Sequence, residues 1–264
     1  MNFGDMIKEG IIRIYQEDKE SLKYYVDMIC SDVRDMESDV LYRAGAFFVA
    51  NDTYMGEWFG KGITNPEYEV YRVDGSCMWL HNLVLPVVDA VGEVVGLAGF
   101  NPFRYLEAHQ TNNWMLNYYM YSSKHIFDKS RFLYSLPDTL RKGLQDGYLV
   151  VTDGIFDTLS LSACGINAAA LLGSFISPQM AAILRFYDRV LLAMDNDDAG
   201  LKLYRRLSTV LDNVILVKQG WAKDVDDVLK SQHRNLYLSG IRKILKTSMP
   251  NIHSLGDYKT TVLN

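Results

Sequence analysis

The chain has 264 residues, 27 Lys and Arg against 32 Asp and Glu, a formal net charge of −5 and a 48% hydrophobic fraction. That size suits one large domain or two small ones with a sizeable core, and the charge argues weakly against a broad nucleic-acid surface. No window approaches the roughly eighteen uninterrupted apolar residues of a membrane span, and Cys30, Cys77 and Cys164 form neither a CxxC pair nor a disulfide framework.

Residues 1 to about 60 read mostly as helix, with Met6, Ile7, Ile11, Ile14, Leu22, Tyr25, Val26 and Ile29 at helical intervals. From Tyr68 to Phe100 the pattern turns to strands. Glu69–Val73 and Cys77–Leu80 are short alternating runs, and Leu83–Val88, the turn Asp89–Gly92 and Glu93–Gly99 predict a hairpin. Residues 101–116 have no clear period and predict a loop or insertion. Between Lys124 and Lys142 five basic residues face two acids, a local excess that contains Lys124, Lys129 and Arg131. None of the five histidines has a metal-ligand spacing.

From Gly147 onward one pattern repeats three times: a short apolar strand, an acidic turn, then a helical period. Tyr148–Thr152 leads into Asp153-Gly154-x-x-Asp157. Arg189–Ala193 leads into Asp195-x-Asp197-x-x-Gly200. Asn213–Val217 precedes Lys223-Asp224-x-Asp226. Runs this apolar suit strands covered on both faces, and open α/β sheets bind ligands beyond the carboxyl ends of such strands. Three strand ends would deliver Asp153, Asp157, Asp195, Asp197, Asp224 and Asp226 to one rim. Two carboxylates about 4 Å apart repel by about 1 kcal/mol in water and about 4 kcal/mol at an effective dielectric near 20. Either some of these acids take up protons, or a divalent cation sits among them. Oxygen-only ligands favour Mg²⁺ or Mn²⁺, which suits metal-assisted chemistry at phosphorus.

These motifs resemble the TOPRIM signature of bacterial primases, topoisomerases and some nucleases. The text around them resembles DnaG-type primase: the Leu83–Phe100 strand pair, and the stretch from Tyr118 through Phe127-Asp128-Lys129 to Leu133-Tyr134. Three positions depart from that family. Asp153 stands where it has Glu, and Asn82 and Phe100 stand where it has arginines, with Arg104 as the candidate replacement.

The resemblance implies an α/β protein in three parts: an α+β primase polymerase-core subdomain over 1–146, a Rossmann-like TOPRIM domain over 147–232 and a short helical tail over 233–264. It implies a catalytic core without the zinc ribbon or a fused helicase, of phage-like plan. The expected activity is synthesis of short RNA primers on single-stranded DNA. Asp153, Asp195 and Asp197 are the expected catalytic and metal residues, supported by Asp157, Asp224 and Asp226, with Mg²⁺ or Mn²⁺ as cofactor. Lys129, Lys124, Arg131 and Lys223 are the expected phosphate contacts. Expected partners are the DNA template, ribonucleoside triphosphates, a replicative helicase in trans and a separate template-selecting protein, in the cytoplasm (the host's, for a phage protein). The rival readings are a TOPRIM nuclease and a non-catalytic replication module.

Overall fold

Asn2 starts the first helix: its backbone is extended and its side-chain oxygen accepts the Asp5 amide at 2.9 Å, a standard N-cap. The computed structural model describes residues 2–113, 115–173, 175–195, 198–246 and 260–263. The chain divides into two compact units, Met1–Lys129 and Ser130–Asn264.

In the first unit, α1 (Phe3–Glu17) buries Phe3, Met6, Ile7, Gly10 and Ile14 along one stripe. Next come α2 (Lys19–Met28), a π-helical turn over Ile29–Arg34, α3 (Ser38–Arg43), β1 (Phe47–Phe48) and α4 (Tyr54–Phe59). The predicted hairpin is present as β2 (Leu83–Val88) and β3 (Val94–Phe100), paired antiparallel with Leu83 opposite Phe100. Its turn closes because the Asp89 carboxylate accepts the amides of Val91 and Glu93, both at 2.9 Å. β4 (Tyr119–Tyr121) pairs with β3 and completes an antiparallel sheet in the order β1-β2-β3-β4.

Two sequence expectations in this unit give way. The runs at 69–73 and 77–80 form no ladder; Tyr71 and Cys77 make an isolated bridge. Asp74 Oδ1 accepts both the amide and the hydroxyl of Ser76, so the chain turns before a second pair can form. Where a loop was expected, α5 runs over Pro102–Thr111. Asn101 caps it by accepting the Arg104 amide, and Pro102 occupies the first turn. An Asn-Pro start is a helix signal that the weak apolar period concealed.

The second unit contains β5 (Leu133–Ser135), α6 (Thr139–Asp146), β6 (Tyr148–Thr152), α7 (Ile155–Ala163), β7 (Ala168–Leu171) and α8 (Pro178–Leu184). β8 (Arg189–Ala193), α9 (Asp198–Ser208), β9 (Val214–Gln219), α10 (Val225–Lys230), α11 (Arg234–Lys246) and β10 (Thr260–Leu263) follow. The sheet order is β10-β9-β8-β6-β7-β5, parallel except for β5, which runs antiparallel to β7.

Alternation along the strands feeds two cores. Leu149, Val151, Val190, Leu192, Val214 and Leu216 lie on one face with Leu140, Leu184, Leu203 and Leu207. Val150, Leu191, Ala193, Ile215 and Val217 lie on the other with Leu161, Val228, Tyr237 and Ile241. Apolar residues at every position follow from burial on both sides. Residues 130–146, grouped by sequence with the first part, pack here, because β5 hydrogen-bonds to β7 and α6 covers β6. Of the expected tail, α11 buries Tyr237, Leu238 and Ile241 in the second core, and β10 extends the sheet. Among the described residues no helix is long and apolar enough to cross a membrane.

Leu191 sits in the central strand β8 and is fully buried. Leu191→Ala is expected to lower the unfolding free energy by about 2–5 kcal/mol. Ile12→Ala, at a 55% exposed position, should change it by no more than about 0.5 kcal/mol. Urea denaturation of the two variants checks the contrast.

Candidate active site

The chain leaves β6 for β7 on one side, then returns to lay β8 on the other side of β6. That reversal opens a crevice at the carboxyl ends of β6 and β8, and the next residues are Asp153 after β6 and Asp195 two positions after β8. The structure brings the pair together: the Asp195 amide donates to Asp153 Oδ2 at 3.4 Å. Below them Thr152 Oγ1 donates to the Gly154 carbonyl and lies 2.7 Å from Thr158 Oγ1, tying the end of β6 to the start of α7.

Two glycines let these segments approach. A Cβ on Gly154 would lie 2.5 Å from Asp157 Oδ2, so the Asp157 carboxylate can fold back over the turn. A Cβ on Gly200 would lie 2.6 Å from the Asp195 carbonyl oxygen, so α9 can start directly against the β8 loop.

Asp157, in the first turn of α7, is 8% exposed, and Asp226, in the first turn of α10, is 4% exposed. The Asp226 amide donates to Asp157 Oδ1 at 2.8 Å. Asp226 in turn accepts the Ser160 hydroxyl at 2.6 Å and the Lys230 ammonium at 2.7 Å, one on each oxygen. α7 and α10 are thus clasped through two buried carboxylates, with Lys230 paired to the second of them. Asp224 stands at the N-cap of α10 and accepts the Asp227 amide at 2.8 Å.

The crowding of negative charge disfavours ionisation of these groups. Burial, then the nearby Asp224, pushes the Asp157 carboxyl up to about 8; the Asp226 amide opposes this, and Asp226 and Asp195 add to it. Asp227 is raised by burial, Asp224 and Asp226, against the pull of Lys230 and Lys223. Burial and the charge of Asp157 raise the Tyr237 phenol on α11.

Of the six acids predicted from sequence, Asp153 and Asp195 meet at the crossover. Asp157, Asp224 and Asp226 meet where α7 and α10 begin, with Asp195 close enough to raise Asp157. Asp197 lies outside the described residues. Among the described residues no three acids, histidines or cysteines form a ready-made metal cage. Mg²⁺ is usually held through one or two carboxylates with water and substrate phosphate completing its shell. The carboxylate-only donor set and the charge crowding around Asp157 fit that kind of ion.

Of the expected cations, Lys223 and Arg131 are exposed in the second unit, and Lys124 and Lys129 are exposed in the first. The Lys129 ammonium rests 4.4 Å from the centre of the Tyr121 ring, a cation–π contact. Sequence reasoning missed Ser160, Lys230 and Tyr237. The Asp226–Lys230 spacing of four was a readable helix-pair signal, whereas Ser160 comes from 66 residues away and left none.

A Toprim-like family model matches residues 150–229. A DNA primase of Borreliella burgdorferi is 27% identical over 175 residues, which cover 64% of this chain and 30% of that protein. The matched part of the chain spans between 17% and 31% of the length of the curated relatives it matches. Among solved structures, a DnaG catalytic core superposes with a TM-score of 0.72 at 18% identity, covering 92% of this chain and 79% of that one. A DnaG primase catalytic domain bound to single-stranded DNA gives 0.69 at 18% identity, covering 90% and 78%.

The Asp157 carboxyl holds its proton in the folded protein up to about pH 8, whereas an unfolded chain releases it near about 4. Between those values the folded state binds more protons, so this group's contribution to stability falls as pH rises. Asp157→Asn keeps an oxygen for the Asp226 amide and cannot ionise. Its melting temperature, without divalent cations, should match the wild type near about pH 4 and exceed it near about pH 9. Circular-dichroism melts across that range check this, and a difference independent of pH would contradict it.

Proposed function

We propose that this chain, a DnaG-type primase core by its fold and its Toprim-like second unit, synthesises short RNA primers on single-stranded DNA in the cytoplasm. The observation that carries the proposal is the meeting of Asp153 and Asp195 at the sheet crossover, 42 residues apart in sequence and joined by the Asp195 amide. In the proposed reaction the 3′-hydroxyl of one ribonucleotide attacks the α-phosphorus of the next triphosphate. The hydroxyl O–H bond breaks and its proton passes to water, a new phosphodiester bond forms, the α–β bridging bond breaks, and pyrophosphate leaves with its electron pair.

Asp153 and Asp195, with Asp197 two residues further along the sequence, are the proposed holders of Mg²⁺ or Mn²⁺, and Asp157 and Asp224 border them. When bound there, such an ion supplies positive charge that offsets the negative charge building on the transferred phosphoryl group. Asp226 serves this arrangement through the clasp, since its two oxygens already accept Ser160 and Lys230. Asp153 has a shorter side chain than Glu, and the 3.4 Å contact with the Asp195 amide fixes where its carboxylate points. Lys129 is proposed to take a triphosphate oxygen, with Lys124, Arg131 and Lys223 as further phosphate contacts. Tyr121 holds the Lys129 ammonium against its ring beforehand, so less freedom is lost on binding. A replicative helicase and a template-selecting protein are the proposed partners in replication.

A single-stranded template with labelled ribonucleotides and Mg²⁺ or Mn²⁺ should give short RNA products. Asp195→Ala should reduce their yield at least about a hundredfold, and Lys129→Ala should act mainly on the KM for nucleotide. Degraded template in place of product would indicate a nuclease, and neither outcome a binding module; both would overturn primer synthesis.

A further inference from the structure

The acids at the carboxyl edge of the second sheet fall into two groups that are served differently. At the crossover the Asp195 amide lies 3.4 Å from Asp153 Oδ2. Where α7 and α10 begin, protein donors come closer. Asp157 Oδ1 accepts the Asp226 amide and Asp224 Oδ1 accepts the Asp227 amide, each at 2.8 Å. Asp226 Oδ1 accepts the Ser160 hydroxyl at 2.6 Å, and Oδ2 accepts the Lys230 ammonium at 2.7 Å.

The lysine is the telling member of this set. Its side chain is 26% exposed and that of Asp226 6%, so the pair is largely withdrawn from water. Lys230 lies four residues after Asp226 on α10, the spacing that sets one side chain over the other. Stability alone explains such a pair poorly, because apolar side chains of similar volume would serve as well or better. Ser160 already gives Asp226 a hydrogen bond. What the ammonium adds is positive charge, fixed on a helix beside the densest group of acids.

That charge bears on metal ions. Mg²⁺ sits at about 2.0–2.1 Å from its oxygen ligands, and an ion on Asp226 Oδ2 would meet an ammonium held 2.7 Å from the same oxygen. Like charges at such range exclude one another. The neighbouring oxygens that a second ion would recruit, Asp157 Oδ1 and Asp224 Oδ1, face backbone N–H groups, whose positive ends also oppose a cation.

We propose that the Lys230 ammonium stands in for a second divalent ion: it fills the cation position at the α7–α10 end of the rim, so the chain loads metal at the crossover alone. Resting on the reading of that crossover as the metal site of primer synthesis, this makes Lys230 a positioning residue that acts through Asp226. Unlike a metal ion, the ammonium is in place before any ligand arrives and no chelator removes it.

The test is equilibrium dialysis of Mn²⁺ against full chains carrying Asp153→Asn/Asp195→Asn, so that the crossover does not contribute. Adding Lys230→Met to that parent removes the charge at similar side-chain length and should add about one tightly held ion per chain. Asp226→Asn on top should abolish the added ion, and Lys230→Arg, which keeps the charge, should add none. In melting curves the Lys230→Met chain should gain at least about 5 °C at a Mn²⁺ concentration about a hundredfold above its Kd. The parent should not, whereas a lysine with a purely structural role would leave both alike. Lys230→Gln keeps a donor for Asp226 without the charge; it should also add about one ion, and it decides the matter where Lys230→Met does not fold. An Asp226-dependent ion already on the parent, no added ion in the uncharged variants, or an equal gain in Lys230→Arg overturns the stand-in role. Primers made by the wild type beside such a result would leave the proposed activity standing. An added ion in Lys230→Met, with no primers from the wild type under any metal, would leave the role of Lys230 standing and remove the activity.

Discussion

Like charges forced together at the ends of α7 and α10 constrain the second unit more than any other feature. Asp157 and Asp226 are both buried, the Lys230 ammonium pairs with Asp226, and Asp195 and Asp224 are near enough to raise Asp157 further. A fold selected for stability alone would replace buried ionisable groups with apolar ones of similar size at little cost or some gain. The sheet around them does what an apolar core should, alternating Leu149 and Val151 to one side and Val150 to the other. The strain is confined to the rim where the sheet reverses its winding, which is where such folds take ligands. A cation would relieve it, and so does a proton held by Asp157.

The clasp also explains the local glycines and hydroxyls. Gly154 makes room for the Asp157 carboxylate, Gly200 lets α9 begin against the Asp195 carbonyl, and the Thr152–Thr158 pair fixes the turn between β6 and α7. Ser160 donates to Asp226 from α7 while Lys230 of α10 supplies its counter-charge. Asp153 and Asp195 thus belong to a rigid frame held from below. Groups poised in a fixed frame lose little freedom when a ligand arrives.

The second unit was legible because its strands are buried on both faces. Runs such as Arg189–Ala193 carry an unbroken apolar signal, and an Asp after each marked the strand ends. The first unit was less so. Its β2–β3 hairpin announced itself through Asp89 and Gly92, but α5 has only Pro102 and Ala108 buried, too few for a helical period to emerge. The 69–80 segment alternates like a pair of strands yet turns too tightly for a ladder. β10 and the placement of residues 130–146 depend on pairing with strands far off in sequence, which local pattern does not encode. For the same reason the acids could be named from sequence while Ser160 and Tyr237 could not.

Electron paramagnetic resonance of Mn²⁺ at room temperature bears most directly on the crossover, because the free hydrated ion gives a sharp signal that fades on binding. Wild-type protein should quench that signal, Asp153→Asn/Asp195→Asn should restore most of it, and Asp39→Asn, at an exposed helix acid, should behave as wild type. A signal left intact by the wild type, or quenched equally by the double variant, would contradict the claim that these two carboxylates form a divalent-cation site.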